Sequence, residues 1–542
     1  MPWQLEISTI DVGQGDSSLI IASNPATGQI RSLLIDAGMP GYGSTVHDHV
    51  QNRLNVVGAT QLDHVLVSHY DADHVGGVVA LLLCDNLSAI ARCLARAAVA
   101  AWDAAAAANV RQQVAAAAAA VAAAAWGGYA GAVDRSGIAV SAAAKAATLN
   151  LPDGTSLDDC ARAGASVGQK EAEQAPAVNQ TLIKTSQSCT AAAMAAAGAA
   201  YHIKDNLVPA NRVYYIERTT FDRLRGALPG CFPTGGLYRS THVIDAGDRP
   251  ETPDLWANFI AGEVTMWSDA RPLAPGIARQ RGSVTPASLG SEVLWGSGPN
   301  AVNAPAGAPA VFLVTGLGYV WGRQVGPPPI SGGQVQNDVA IGVAVRFGNF
   351  FYFTAGDLPA VGEELAAQRL LTTGFPNPQG GAAFPPAQRF AAFKVGHHGA
   401  AGSTSANYLA AIKARSAFVS CGKNKFGKNS DPHPTQAVID RLNVGVPRFY
   451  LTNCKYTTVY VPASDEQDQL VIVGNRSRVC GDNADDNLAV GRFRGDSLLY
   501  LGEPESTGTG SPQQFHVRYW EHDDLPHGGG RRIGIRVEDH PF

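Results

Sequence analysis

The chain has 542 residues, of which 45% are hydrophobic and 16% charged, and its net charge is −5. That length allows several domains with a core large enough to need no staples, and the composition excludes a disordered or fibrous protein. Eight scattered cysteines without a CxxC pair exclude a zinc ribbon or disulfide scaffold, and they fit a reducing, cytoplasmic setting.

In chain order, residues 1–84 alternate short strand-like runs with turns: "LEISTIDV", "SSLIIAS", "SLLIDAG" and "HVLVSHY". The N-terminus lacks a basic region followed by an apolar one, so no signal peptide is expected. Residues 85–334 change character, Ala-rich at first and then rich in Gly, Pro and Ser. The twenty uncharged residues 114–133 are long enough to span a bilayer. They are mostly alanine, the best helix former, so a packed helix is expected there and no membrane span. From "VAIGVAVRF" onward the strand texture returns, through "FFYFTAGD", "FAAFKVGHHG", "SAFVSCG" and "RFYLTN". The simplest organisation is one α/β domain built from residues 1–84 and 335–475. It is interrupted by an Ala-rich, mainly helical insertion at 85–334 and followed by a small β-rich appendage at 476–542.

The chemistry concentrates in "SHYDADHVGG", residues 68–77. Two histidines and two aspartates fall within six residues between apolar runs, and buried ionisable groups are costly unless they are paired or bound to a metal. A solvated turn would explain this cluster alone. However, "TAGD" ends another strand at Asp357, "KVGHHG" brings His397 and His398 to a third, and His433 follows a fourth. Sites of α/β folds gather at such strand ends, and imidazole with carboxylate suits zinc, manganese or iron.

"DVGQGD", "LIDAG", "SHYDADHVGG", "TAGD" and "KVGHHG", in that order, resemble the metallo-β-lactamase fold, and especially the hydrolase domain of ComEC-type competence proteins. The resemblance covers residues 1–84 and 335 to about 445, and neither the insertion nor the tail. It implies an αββα sandwich with two divalent ions in a cleft between its sheets. His69 and Asp71 would hold one ion, and Asp73, His74 and His397 the other, with Asp357 bridging them. Asp71 stands where the family pattern has a second histidine, and this harder ligand tilts the pair from zinc toward manganese. Relatives often use a further histidine between these motifs, for which His202 and His242 are candidates, each equally readable as a packing residue. A hydroxide held between the ions would be the nucleophile, with Asp73 orienting it. His398, His433 and Lys394 are further catalytic candidates, although His398 also reads as packing and His433 as a plain loop histidine. Asp11, Asp16 and Asp36 could hold the histidine rings from behind or simply serve turns.

Residues 391–455 carry nine Lys/Arg against two acids, a local balance of +7. That is either a solvated basic face or a patch for a phosphodiester such as nucleic acid. Lys423, Lys425 and Lys428, set among Gly and Asn, suit a phosphate. Three functions stay open: a metal-dependent phosphodiesterase or nuclease, a hydrolase of a small ester, lactone or amide, and a non-catalytic scaffold whose insertion recognises a protein partner. Nothing in the sequence fixes the oligomeric state.

Overall fold

The structure, a computed structural model, describes residues 3–39, 42–71, 73–78, 81, 163, 166–167, 237–238, 241–247, 281–298, 300–323, 328–330, 335–378, 382–422, 433–452, 456–457, 471–472, 476–480, 495–502, 514–522 and 533–541.

Two mixed sheets share one hydrophobic core. From edge to edge the first runs β19 (Ile533–Pro541), β18 (Gln514–His522), β17 (Ser497–Leu501), β1 (Gln4–Thr9), β2 (Ser18–Asn24), β3 (Gln29–Ile35), β4 (His64–Leu66), β5 (His242–Asp245) and β6 (Arg281–Ser283). The second runs β16 (Ser477–Val479), β13 (Arg448–Leu451), β12 (Ser416–Val419), β11 (Ala392–Lys394), β10 (Phe350–Thr354), β9 (Gly342–Phe347), β7 (Ala310–Gly316) and β8 (Tyr319–Val320). A two-residue pair, β14 (Tyr456–Thr457) with β15 (Val471–Ile472), stands apart.

Local sequence explains the core elements. In α1 (Gly43–Val57), Val46, Val50 and Leu54 recur every four residues and are fully buried, the stripe that docks a helix. Gly58 ends it in a left-handed cap, φ 81°. In β2, "SLIIASN" is buried throughout, as befits a strand with neighbours on both sides and cover on both faces.

Each sheet changes from antiparallel to parallel pairing part-way across. β1, β2 and β3 form an antiparallel meander, and β3, β4, β5 and β6 are then parallel. β7, β9 and β10 are antiparallel, and β10, β11, β12, β13 and β16 are then parallel. The carboxyl ends of the parallel strands β3, β4, β10, β11 and β12 carry the residues described below.

Two expectations about organisation need correction. The stretch 85–334 supplies β5 and β6 to the first sheet and β7 and β8 to the second, so the sheets take strands from well before residue 335. Its alanine-rich part, with the expected helices, the partner surface and His202, lies outside the described residues. The tail after 475 is no separate appendage either. β16 extends the second sheet, and β17 pairs with β1, Leu5 opposite Leu501, so that β17, β18 and β19 complete the first sheet. The physical reason is the edge of β1, whose backbone groups need a partner that, among the described residues, this distant segment supplies. On β19, Glu538 binds Arg448 and Arg478 of the other sheet, each at 2.8 Å, and accepts from the Tyr450 hydroxyl at 2.8 Å.

Candidate metal centre

The cluster is built from backbone first. After β3 the chain turns at Asp36, which adopts a left-handed φ of 56°, a region that Asp tolerates better than most residues. After β4 come Ser68 and His69, and a helical turn over 73–78 presents Asp73 and His74. That turn lies directly against the β3 loop: Ala37 donates to the His74 carbonyl (3.0 Å) and Gly77 to the Gly38 carbonyl (2.7 Å). A Cβ on Gly77 would sit 1.9 Å from the Ala37 oxygen, so the approach requires glycine. Asp16 donates its N–H to the Asp73 carbonyl (3.1 Å), which ties "DVGQGD" to the same loop.

Asp36 organises this first half. Its carboxylate accepts from the Ser68 N–H (2.8 Å), the Ser68 hydroxyl (2.5 Å) and the His74 Nδ1 (2.8 Å). Ser68 in turn receives the His69 Nδ1 at 3.0 Å. Both rings are thereby turned so that their Nε2 atoms face inward.

The second half comes from the other sheet. After β10, Gly356 (φ 51°) passes so close to Ser68 that a Cβ would lie 2.4 Å from its hydroxyl, and Asp357 follows. After β11, His397 and His398 both take left-handed backbone, φ 46° and 50°. His398 Nδ1 donates to the Ser420 carbonyl at 3.1 Å. His397 Nδ1 lies 3.2 Å from the Asn337 amide. The loop carrying both is pinned by Glu363 of α2 (Ala360–Thr372), whose carboxylate accepts from the Thr404 N–H and hydroxyl.

The two oxygens of Asp357 face two sets of imidazoles. Oδ1 is 3.1 Å from His74 Nε2 and 3.5 Å from His398 Nε2. Oδ2 is 3.5 Å from His397 Nε2 and 3.8 Å from His69 Nε2. Asp73 adds to the first set, 3.2 Å from His398 Nε2. Asp71 adds to the second, 3.5 Å from His69 Nε2, with its side chain 42% exposed at the mouth. The expected assignment gave His397 to the set of Asp73 and His74 and read His398 as packing or a proton donor. The structure instead places His398 beside Asp73 and His74, and His397 beside His69. Nothing in "GHHG" tells which imidazole turns which way; the two left-handed residues decide it.

The electrostatics suit a site for cationic charge. Burial pushes the His74 imidazole down, but Asp357 and Asp36 outweigh it and hold it well above its ordinary value. Burial likewise opposes the charge on His398, and Asp357 and Asp16 raise it to about 10. Burial acts against ionised Asp357 and Asp73, yet the surrounding imidazoles hold Asp357 well below the carboxylate range and hold Asp73 below it too. For His397 burial wins, aided by its neighbouring imidazoles, and lowers it. His69 Nε2, Asp73 Oδ2, His74 Nε2, Asp357 Oδ1 and His398 Nε2 are all buried without a hydrogen-bond partner. Because Nδ1 of His398 donates to a carbonyl, its Nε2 needs either a second proton or a cation to face two carboxylates. Among the described residues, sets such as His69–His74–Asp357 and Asp73–His74–His398 bring their ligand atoms within 4.8 Å of one another. The donor set therefore fits divalent metal ions of the kind bound by nitrogen and oxygen ligands.

The remaining candidates divide. Asp16 is buried against Lys394 and lies 3.4 Å from His398 Nδ1; burial resists its charge, but Lys394 leads the groups that hold it below its ordinary value. Lys394 is thus committed to Asp16 in the interior, 4% exposed, rather than placed at a surface for substrate. Asp11 serves a turn, its carboxylate accepting from the Gly13 and Gly495 N–H groups (3.1 and 3.0 Å). His433 stacks obliquely near His397, ring centres 5.4 Å apart. His242 packs edge-on against His64 (5.7 Å) near the start of β4, away from the strand ends that hold the cluster. Lys423, Lys425 and Lys428 lie outside the described residues. Sequence reasoning missed Ser68, Asn337, Glu363 and the Ser420 carbonyl. Only Ser68 had a signal, its place beside His69 in the motif.

Residues 10–83 match the family model of the metallo-beta-lactamase superfamily. That superfamily consists mostly of metal-dependent hydrolases, and two mixed sheets with a His/Asp cluster at their strand ends are consistent with its fold. The match reaches the superfamily and does not single out ComEC-type domains. No curated protein matches the chain. Among the described residues, no helix is long and apolar enough to cross a membrane.

Proposed function

We propose that this protein is a metal-dependent hydrolase of phosphodiesters, with the cluster around Asp357 holding two divalent ions, manganese in preference to zinc. The observation that carries the reading is the convergence of three buried, unpartnered imidazole nitrogens, Nε2 of His69, His74 and His398, on the two oxygens of one aspartate. Ions bound there supply a water nucleophile near neutral pH and stabilise negative charge on the attacked group. The chain's own residues do the rest. Asp36 and Ser68 fix the tautomers of His74 and His69 so that the Nε2 lone pairs face the cluster. Ser420 does the same for His398. To His433, whose ring lies 5.4 Å from that of His397, we assign the donation of a proton to the leaving group.

A carboxylate in place of imidazole at Asp71 favours the harder metal, and the lysines at 423, 425 and 428 precede His433 by five to ten positions in the sequence. One observation favours the rival reading, a small ester, lactone or amide. Several cations of the basic segment are engaged elsewhere: Lys394 with Asp16, Arg448 with Glu538, and Arg441 with the Ser403 and Thr404 carbonyls. Turnover of bis-p-nitrophenyl phosphate against p-nitrophenyl acetate, after chelation and reloading with manganese or zinc, separates the two. Phosphodiester turnover that returns with manganese is expected. Ester turnover alone would give the decision to the rival.

A further inference from the structure

β9 and β10 are joined by a tight turn at Gly348 and Asn349, and this turn lies at the end of β10 opposite Asp357. The strand between them spans on the order of 15 Å at about 3.3 Å per residue. Beside the turn is a cleft of about 170 Å3, lined by Arg346, Asn349, Phe351, Gln388 and Arg389 among others. Arg346 is only 9% exposed. Its Nε donates to the Gly348 carbonyl at 3.2 Å, and its guanidinium lies over the Phe384 ring, 4.0 Å from the centroid. Its Nη1 is buried and has no hydrogen-bond partner. Among the described residues, no carboxylate lines the cleft.

A buried cation with neither counterion nor full hydrogen bonding is costly. The aromatic face of Phe384 offsets part of that cost but cannot satisfy an N–H pointing elsewhere. Burial lowers the Arg346 guanidinium to about 10. The planar fork of arginine matches the two oxygens of a carboxylate or phosphate. Arg389 supplies a second guanidinium at the same cleft, and the amides of Asn349 and Gln388 supply further donors, while Phe351 gives an apolar wall.

We propose that this cleft is a binding site for a small oxyanion, a carboxylate or a phosphate, received by Arg346 and Arg389. It is separate from the His/Asp cluster and needs no metal ion. The test is calorimetric titration of the full-length protein with orthophosphate and, separately, with acetate, at ionic strength held constant with sodium chloride. Saturable binding of one equivalent is expected, unchanged by prior chelation and accompanied by a rise in melting temperature through mass action. Binding of phosphate alone, of acetate alone or of both would each support the site and identify which oxyanion it prefers. Arg389→Gln, a half-buried position whose change leaves the core intact, should weaken binding about tenfold or more, and Arg346→Gln should abolish it. Equal affinity in wild type and Arg389→Gln would place the anion elsewhere and overturn the proposal. So would the absence of saturable binding of either anion below about 10 mM.

Discussion

On the side of the first sheet, His69 and His74 are held by side chains: Ser68 and Asp36 grip their Nδ1 atoms. On the side of the second sheet, His397 and His398 are held mainly by backbone, two consecutive left-handed residues in a loop pinned through Glu363 and Thr404. Such backbone costs on the order of 1–3 kcal/mol per residue and persists only where the surroundings over-determine it. Here they do: Glu363, Thr404, the Gly356 carbonyl bonded to His397 N–H (3.1 Å) and Ser403 bonded to the Gly396 carbonyl (2.7 Å) fix one loop. The difference teaches where each half is vulnerable. Damage to Asp36 affects ring orientation within one half, whereas damage behind the second loop moves two imidazoles together.

The largest effect should come from breaking what the halves share. Asp357→Ala removes the carboxylate common to both imidazole sets, so turnover should fall to the uncatalysed background. Metal content should drop well below the two equivalents expected of the wild type. Elemental analysis checks this, and a variant that keeps two equivalents would refute the shared-carboxylate arrangement. Asp36→Ala should weaken metal binding by about 10–100-fold, as loss of a group orienting a ligand does, measured by competition with a chromogenic chelator. In the other half, His398→Ala should release metal more readily than His397→Ala. His398 is 1% exposed and faces two carboxylates, whereas His397 is 21% exposed and faces one. The reverse order would restore the assignment of His397 to Asp73.

The pH dependence sharpens the contrast further. Burial raises Glu363 from the ordinary glutamate value to about 7, against the bonds from Thr404. An acid raised by folding keeps its proton longer in the folded state than in the unfolded one. Its contribution to stability is therefore complete below about 4.5 and lost as pH rises through about 7. Glu363→Gln keeps an acceptor for Thr404 without the charge. It should flatten that loss, by up to about 3 kcal/mol at pH 8, in denaturant titrations of both proteins at several pH values. Parallel stability curves would show that Glu363 does not titrate in this range. The smallest effect concerns binding alone: neutralising Lys423, Lys425 and Lys428 should lower the slope of oligonucleotide affinity against log salt by about two to three. An unchanged slope would remove those lysines from the substrate path.

"SHYDADHVGG" was readable because its groups are neighbours in the chain, and a strand end followed by a helical turn converges them without help from elsewhere. Asp357, His397 and His398 could be expected at strand ends, since apolar runs precede each. Which histidine faces Asp73 could not, because φ at two adjacent residues settles it. Lys394 was a catalytic candidate from its place in "FKVGHHG", and its burial against Asp16 follows only from packing the two sheets. The strands β5 to β8 and β17 to β19 were misplaced for a similar reason. Short runs such as "HVID" or "SLLYL" gain their identity from partners far away in sequence, as β17 does from β1.

That last pairing bears on how the molecule is made. The N–H of Asp11 and the carboxylate of Asp496 meet at 2.8 Å although 485 residues separate them. At the usual pace of about 5–20 residues per second, β1 leaves the ribosome roughly half a minute or more before β17 exists to cover it. For that interval the nascent chain carries an open strand edge next to a hydrophobic meander, a template for pairing with other chains. The first sheet can close only after nearly the whole chain has been synthesised, so chaperone dependence during translation should track the tail rather than the metal-binding motifs.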